Sequence, residues 1–312
     1  MMRFWMWLNR HAVKTLCMTA LSCMLLLGAG ACSDNKPPSN TWLGSGMQVF
    51  YDEALNEARS LRLFYYVPEN KAAKMPVVMV FHGIERNAIE YRDALIAKAA
   101  AAGFILVVPE FSEEVFPGSN AFALGDMYPD GELPKADSLR PSTAWSFSIV
   151  PRILQFVRMK TPAAGTQAYA IGHSAGAQFL HRTLLFLPDF KVDAAVVSAA
   201  GWYTLPDKQV KFPYGTGISP ADSVYHAAFF QRKILVQVGM NDNNPNSSTL
   251  RHTPESDAQG LHRLARAQYF YNRCAYLAGQ SGKPFNWSLH QIPGLGHDFT
   301  QAINRSADLL FP

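Results

Sequence analysis

The chain has 312 residues, 48% hydrophobic and 17% charged, an ordinary balance for a soluble protein with one large core. Its formal charge of +4 says little about partners, because Arg3, Arg10 and Lys14 sit in a leader-like segment whose removal leaves 25 basic against 24 acidic side chains. With no basic run and no interleaved aromatics, nucleic acid is not an expected partner, and the lack of a fixed-period repeat excludes solenoids and propellers.

Residues 1–31 have the layout of an export signal: early positive charge, an apolar run over residues 16–27, then Gly28-Ala29-Gly30-Ala31 before Cys32. The rival reading, a permanent membrane helix, is weakened by Thr19, Ser22 and the glycine-alanine end, which make the span short. Ala29-Gly30-Ala31 satisfies the small-residue rule for ordinary cleavage, and the cysteine directly after it resembles the lipobox of bacterial lipoproteins. That resemblance implies a lipid on Cys32, anchoring the protein to a membrane, and Ser33 implies onward export to an outer membrane. Cys17 and Cys23 leave with the signal, so Cys274 remains alone, no structural disulfide is available, and Cys274 reads as a buried small apolar residue. Residues 32–40 are polar with two prolines and read as a tether, which leaves 41–312 as one domain.

Within that domain, residues 60–67 alternate as a strand, 68–74 turn, and 75–81 form the continuous apolar run of a strand buried on both faces, ending at His82-Gly83. A helical stretch follows, with Asn87 as a possible N-cap and Tyr91, Leu95 and Ile96 on one face, and then a buried strand over 104–109. Residues 110–141 are rich in Pro, Gly, Asp and aromatics, too long for an ordinary connection, and read as the rim of a site. A helix over about 143–159 leads to a short strand at 167–171 and a helix at 177–187. A strand at 192–198, a second irregular excursion to Arg232, a strand at 233–238, a long helical pattern over about 255–277, a strand at 286–292 and a closing helix complete the chain. Strands alternating with helices imply an α/β domain with a mostly parallel central sheet and helices on both faces. Both long excursions follow strands and therefore belong on the carboxyl side of the sheet, where open α/β sheets build ligand sites; Trp145 and Trp202 are the candidate substrate contacts.

The chemistry centres on Gly172-His173-Ser174-Ala175-Gly176, one serine between two glycines at a strand-to-helix junction. A sharp turn there strains the serine and brings backbone so close that only glycine fits on either side, exposing the hydroxyl at a helix N-terminus. A chain of this length holds roughly 0.1 chance matches to the pattern, so partners downstream must decide. Asp242 and His297 follow in that order, each just after a strand. His297 would take the proton from Ser174 and return it to the leaving group, while Asp242 would fix the imidazole tautomer; the alternatives are a turn histidine and an Asx-type turn among Asn241, Asn243 and Asn244. The backbone N–H groups of Ala175 and Ile84 are the expected oxyanion donors. His82 reads as a buried brace of that loop, with a second catalytic histidine or a metal ligand as the alternatives. No spacing of His, Cys and carboxylates suggests a metal, and no cofactor is expected.

Residues 77–83 with Arg86-Asn87, the Ser174 turn, Ala200-Gly201-Trp202-Tyr203 and Gly294-Leu295-Gly296-His297-Asp298 together resemble the polyhydroxybutyrate depolymerase and feruloyl esterase branch of the α/β-hydrolases, over most of the chain from about Ser60 onward. The resemblance implies hydrolysis of small or oligomeric carboxylic esters through an acyl-enzyme, without a cofactor. Members of the depolymerase type commonly carry a cysteine or small polar residue where Ile84 stands, so the resemblance does not carry the polymer with it. A serine peptidase on the same fold and a non-catalytic binding module are the alternatives.

Overall fold

The computed structural model describes residues 41–52, 59–69 and 74–312; the signal, tether and lipidation expectations at residues 1–40 lie outside the described residues. The strands are β1 (Gly44–Asp52), β2 (Arg59–Val67), β3 (Met75–Phe81), β4 (Ile105–Glu110), β5 (Ala164–His173), β6 (Ala194–Ser198), β7 (Ile234–Gly239) and β8 (Trp287–Ile292). They form one sheet in the order β1-β2-β4-β3-β5-β6-β7-β8. β1, β2 and β4 pair antiparallel; every pair from β4-β3 to β7-β8 is parallel.

The continuous apolar runs are explained by burial on both faces. Val77, Met79 and Phe81 of β3 pack into one core, with α3 (Ile149–Lys160), α4 (Ala175–Phe186) and α7 (Arg263–Gln280), while Val78 and Val80 pack into a second core with α1 (Ala88–Ala102) and α8 (Phe299–Leu310). Period-two alternation then leaves no polar position on the strand. After β3 the chain steps to β4 on one side and then crosses to β5 on the other. The loops leaving β3 and β5 therefore diverge at a topological switch point, where a crevice opens at the carboxyl ends.

Several local expectations fail. β1 is an edge strand that carries Gly44 and Gly46 and alternates only between exposed and half-buried positions over its first half, so its pattern is faint. α5 (Ser223–Gln231) lies hidden inside the second excursion, started by Asp222, whose side chain accepts from the N–H groups of Val224 and Tyr225. The pattern over 255–277 is two helices, α6 (Pro254–Asp257) and α7, separated at Gly260, whose φ of 137° no ordinary side chain adopts readily. Nor does Asn87 cap α1 with its side chain; it bonds Glu90 Oε2 instead.

The first excursion, which carries the short helix α2 (Gly118–Ala121), is pinned. Arg86 donates to the carbonyls of Phe111, Phe116 and Gly118, Asp126 receives both Arg59 and Arg140, and Tyr128 donates to Ile218 of the second excursion at 2.7 Å. Both excursions thus meet on the carboxyl side of the sheet.

Candidate active site

β5 ends at His173 and α4 begins at Ala175, so Ser174 makes the whole turn, with φ 55° and ψ −116°. A non-glycine residue in that region is strained and persists only where its surroundings over-determine it. They do so here. A Cβ on Gly172 would lie 2.4 Å from the Gly176 oxygen, and one on Gly176 would lie 2.0 Å from the Phe81 oxygen. The helix can enter directly behind the strand only because neither position has a side chain.

His297 follows β8. Its Nδ1 lies 2.7 Å from Asp242 Oδ2 and its Nε2 lies 3.1 Å from Ser174 Oγ. A carboxylate only accepts, so Nδ1 carries the proton and Nε2 is left to accept from the serine hydroxyl. Asp242 is buried, and its second oxygen is 3.5 Å from Arg263 Nη1. Arg263 was not anticipated from the sequence, although it opens α7, whose residue Leu264 donates its N–H to the Asp242 carbonyl. Asp298 turns away from its neighbour's ring and caps α8, accepting from the Gln301 N–H at 2.7 Å.

The loop after β3 is held on both sides of Gly83. Its N–H donates to Tyr91 Oη at 3.0 Å. Its carbonyl accepts from His82 Nδ1 at 2.9 Å, since His82 Nε2 accepts from the Phe111 N–H. Burial lowers the His82 pKa to about 4, so this bracing pattern belongs to a neutral ring. Ile84 and Ala175 border one cleft of about 590 Å³ together with Phe122, Gln178, Trp202 and Arg251. Ala175 is the first residue of α4, where an N–H has no acceptor within its own helix.

Trp202 reaches the cleft. Its ring packs against two guanidinium groups, Arg182 at 4.1 Å and Arg251 at 5.1 Å; burial brings Arg182 down to about 9. Arg251 in turn forks onto Glu132 of the first excursion. Trp145 does not join this cleft. It is buried, donates to the Arg140 carbonyl and packs edge-on to Phe186, because the segment expected to be one helix from residue 143 starts as two 3-10 turns that fold the indole toward the end of α4.

No protein-family model matches the chain, and no curated protein sequence does. Among solved structures, poly(aspartic acid) hydrolase-1 from Sphingomonas sp. KT-1 is 32% identical over 86% of this chain and 99% of its own, with a TM-score of 0.79. LpqC, a poly(3-hydroxybutyrate) depolymerase from Bordetella parapertussis, is 32% identical over 86% of this chain and 89% of its own, with a TM-score of 0.80. An IroE-like serine hydrolase from Shewanella oneidensis, 11% identical over 86% of this chain and 80% of its own at a TM-score of 0.54, shares the fold. An eight-stranded, mostly parallel sheet of this order, with a strained serine turn at its switch point and two such relatives, is a hydrolase scaffold: the chain belongs to the poly(3-hydroxybutyrate) depolymerase branch of the α/β-hydrolases.

Proposed function

We propose that this hydrolase cleaves carboxylic esters through an acyl-enzyme formed on Ser174. The observation that carries the reading is the relay from Asp242 through His297 to Ser174, at 2.7 and 3.1 Å, set at the N-terminus of α4. His297 Nε2 removes the hydroxyl proton as Oγ attacks the carbonyl carbon, and the imidazolium is stabilised by Asp242. The N–H groups of Ala175 and Ile84 receive the oxyanion, each worth on the order of 3 kcal/mol in the transition state. His297 then protonates the departing alcohol, and water, activated by the same ring, releases the acid. Ser174→Ala is expected to abolish both turnover of p-nitrophenyl esters and labelling by a fluorophosphonate while leaving the thermal unfolding midpoint within a few degrees of wild type. Labelling of that variant at another serine would overturn the assignment.

A second reading, amide hydrolysis, is favoured by the poly(aspartic acid) hydrolase, which is as similar to this chain as the depolymerase. The same relay serves both reactions, and a matched ester and anilide pair separates them. We also propose that Cys32 is lipidated and tethers the enzyme to the cell envelope. Cys32→Ala would then release it from the membrane fraction, and a wild-type N-terminal peptide without lipid by mass spectrometry would favour ordinary cleavage after Ala31.

A further inference from the structure

Tyr91 lies on the sheet-facing side of α1, among Ala88, Leu95 and Ala99 in the second core, and is only 2% exposed. A phenylalanine would fill that space. A buried hydroxyl without partners costs about 1 to 3 kcal/mol, so its bonds should explain why the oxygen is there. It has two. The Gly83 N–H donates to it at 3.0 Å, and it lies 2.9 Å from His173 Nδ1. Gly83 presents an N–H, so the phenol's single proton finds an acceptor only at His173 Nδ1, which places the His173 ring in its neutral Nε2–H tautomer with Nε2 itself unpartnered. Burial holds both groups in these states, raising the tyrosine and depressing the histidine.

Gly83 precedes Ile84, and His173 precedes Ser174. The last backbone pair between β3 and β5 is Phe81 with Gly172; beyond it the strands part to form the crevice. From these contacts, and resting on the acyl-enzyme reading above, we infer that Tyr91 is a positioning residue that bridges the parted strands and sets the distance between the Ile84 N–H and Ser174. His82 supplies the complementary constraint. The Gly83 carbonyl and the Ile84 N–H belong to one planar trans peptide, so fixing the carbonyl on His82 aims the N–H the opposite way. A Cβ built on Gly83 would fall 3.1 Å from Tyr91 Oη and 3.7 Å from Ser174 Cβ, which shows how closely the three elements meet. The tyrosine ring also stacks on Phe299 at 4.5 Å, two residues after His297.

Tyr91→Phe keeps the ring and its stacking and removes the bridge alone. The expected result is a fall in kcat of about 10- to 100-fold with KM within about twofold, less than the loss of a whole oxyanion donor because the N–H is displaced, not deleted. Wild type should prefer an ester over its thionoester, whose sulfur fits the donors poorly, and the variant should narrow that ratio. An unchanged kcat, or a fall with the ratio intact, overturns the inference; residual turnover in Ser174→Ala would instead overturn the underlying mechanism. Should Tyr91→Phe not fold, hydrogen exchange of wild type decides: the Gly83 amide is expected to be protected like strand β3, and exchange at the rate of an open loop refutes the bridge.

Discussion

The two halves of the site are built differently. On the serine side, backbone packs against backbone, so that Gly172 and Gly176 have no room for a methyl group, and His82 and His173 are buried beside it. On the histidine side, Gly294 and Gly296 have nothing within 4 Å of where a Cβ would stand, and the His297 side chain is 27% exposed. That loop is packed at one point, where Leu295 is buried and a Cβ on Gly239 would lie 2.1 Å from the Leu295 oxygen, and is otherwise held by a short set of bonds: Asp242 on the ring, the Asn241 N–H on the Leu295 carbonyl at 2.9 Å, and the Asn241 amide on the Gly294 carbonyl. The difference suits the proposed chemistry. The nucleophile and its oxyanion donors gain from being fixed before substrate arrives, whereas a base that picks up and delivers a proton needs orientation about one bond and a path to solvent.

If bonds set the final orientation of the base, breaking one should be costly in rate and cheap in stability. Asp242→Asn is expected to lower kcat by at least a hundredfold, toward the order of 10⁴ that a wrong tautomer can cost, with little change in the unfolding midpoint. Asp298→Asn should stay within a few-fold, because asparagine caps a helix nearly as well as aspartate and Asp298 already spends its side chain on Gln301. Collapse in Asp298→Asn with near-normal Asp242→Asn would reverse the assignment of the acid. The serine side should show the opposite pattern. Gly176→Ala forces a methyl to 2.0 Å from the Phe81 oxygen, and backbone cannot swing aside as a side chain does. We expect a loss of about 3 kcal/mol or more by urea denaturation, with activity falling in step.

Acid should also find the serine side first. An unfolded histidine takes up its proton near pH 6.5, whereas folded His82 resists until about pH 4. Across that window the unfolded chain binds more protons, so stability falls as pH drops from 6.5 to 4, by about 3 kcal/mol for His82 alone; His173 and His181, also depressed by burial, act in the same direction. Unfolding free energies at pH 7, 5 and 4 test this, with His82→Gln expected to flatten the slope. An equal slope in wild type and variant would mean that His82 does not contribute to the acid limb.

The same contrast governs what could be read from the chain. β2 through β8 are legible because each is a local run with its own periodicity, and Ser174, Asp242 and His297 stand out as candidates because glycine and chain order mark the ends of those runs. Asp298, next to His297 in the chain, would have to fold back sharply to reach its neighbour's ring, and it caps α8 instead. The bridge from Tyr91 to His173 spans 82 positions and exists only because β5 crosses over to lie beside β3; on α1, Tyr91 looks like one more core residue. Arg263 behind Asp242, and Arg182 and Arg251 around Trp202, were hidden for the same reason. Trp145 misled because proximity in sequence to an excursion does not decide which way a short 3-10 turn aims its indole.

The finest test of the contrast uses two glycines in one loop. Gly294 has φ 75° with open space around it, so alanine there meets no atom but must adopt a left-handed conformation, at a cost of about 1 kcal/mol. Gly296 has open space and no left-handed requirement. Alanine at Gly296 should therefore be neutral, or stabilising by a few tenths of a kcal/mol, because it restricts the unfolded chain more than it burdens the folded one. Since the two ring bonds and the Asn241 contacts survive both changes, kcat should stay within about threefold in each. A Gly296→Ala variant as damaged as Gly176→Ala would mean that packing grips the loop at Gly296 as well as at Leu295, and that its exposure does not reflect how it is held.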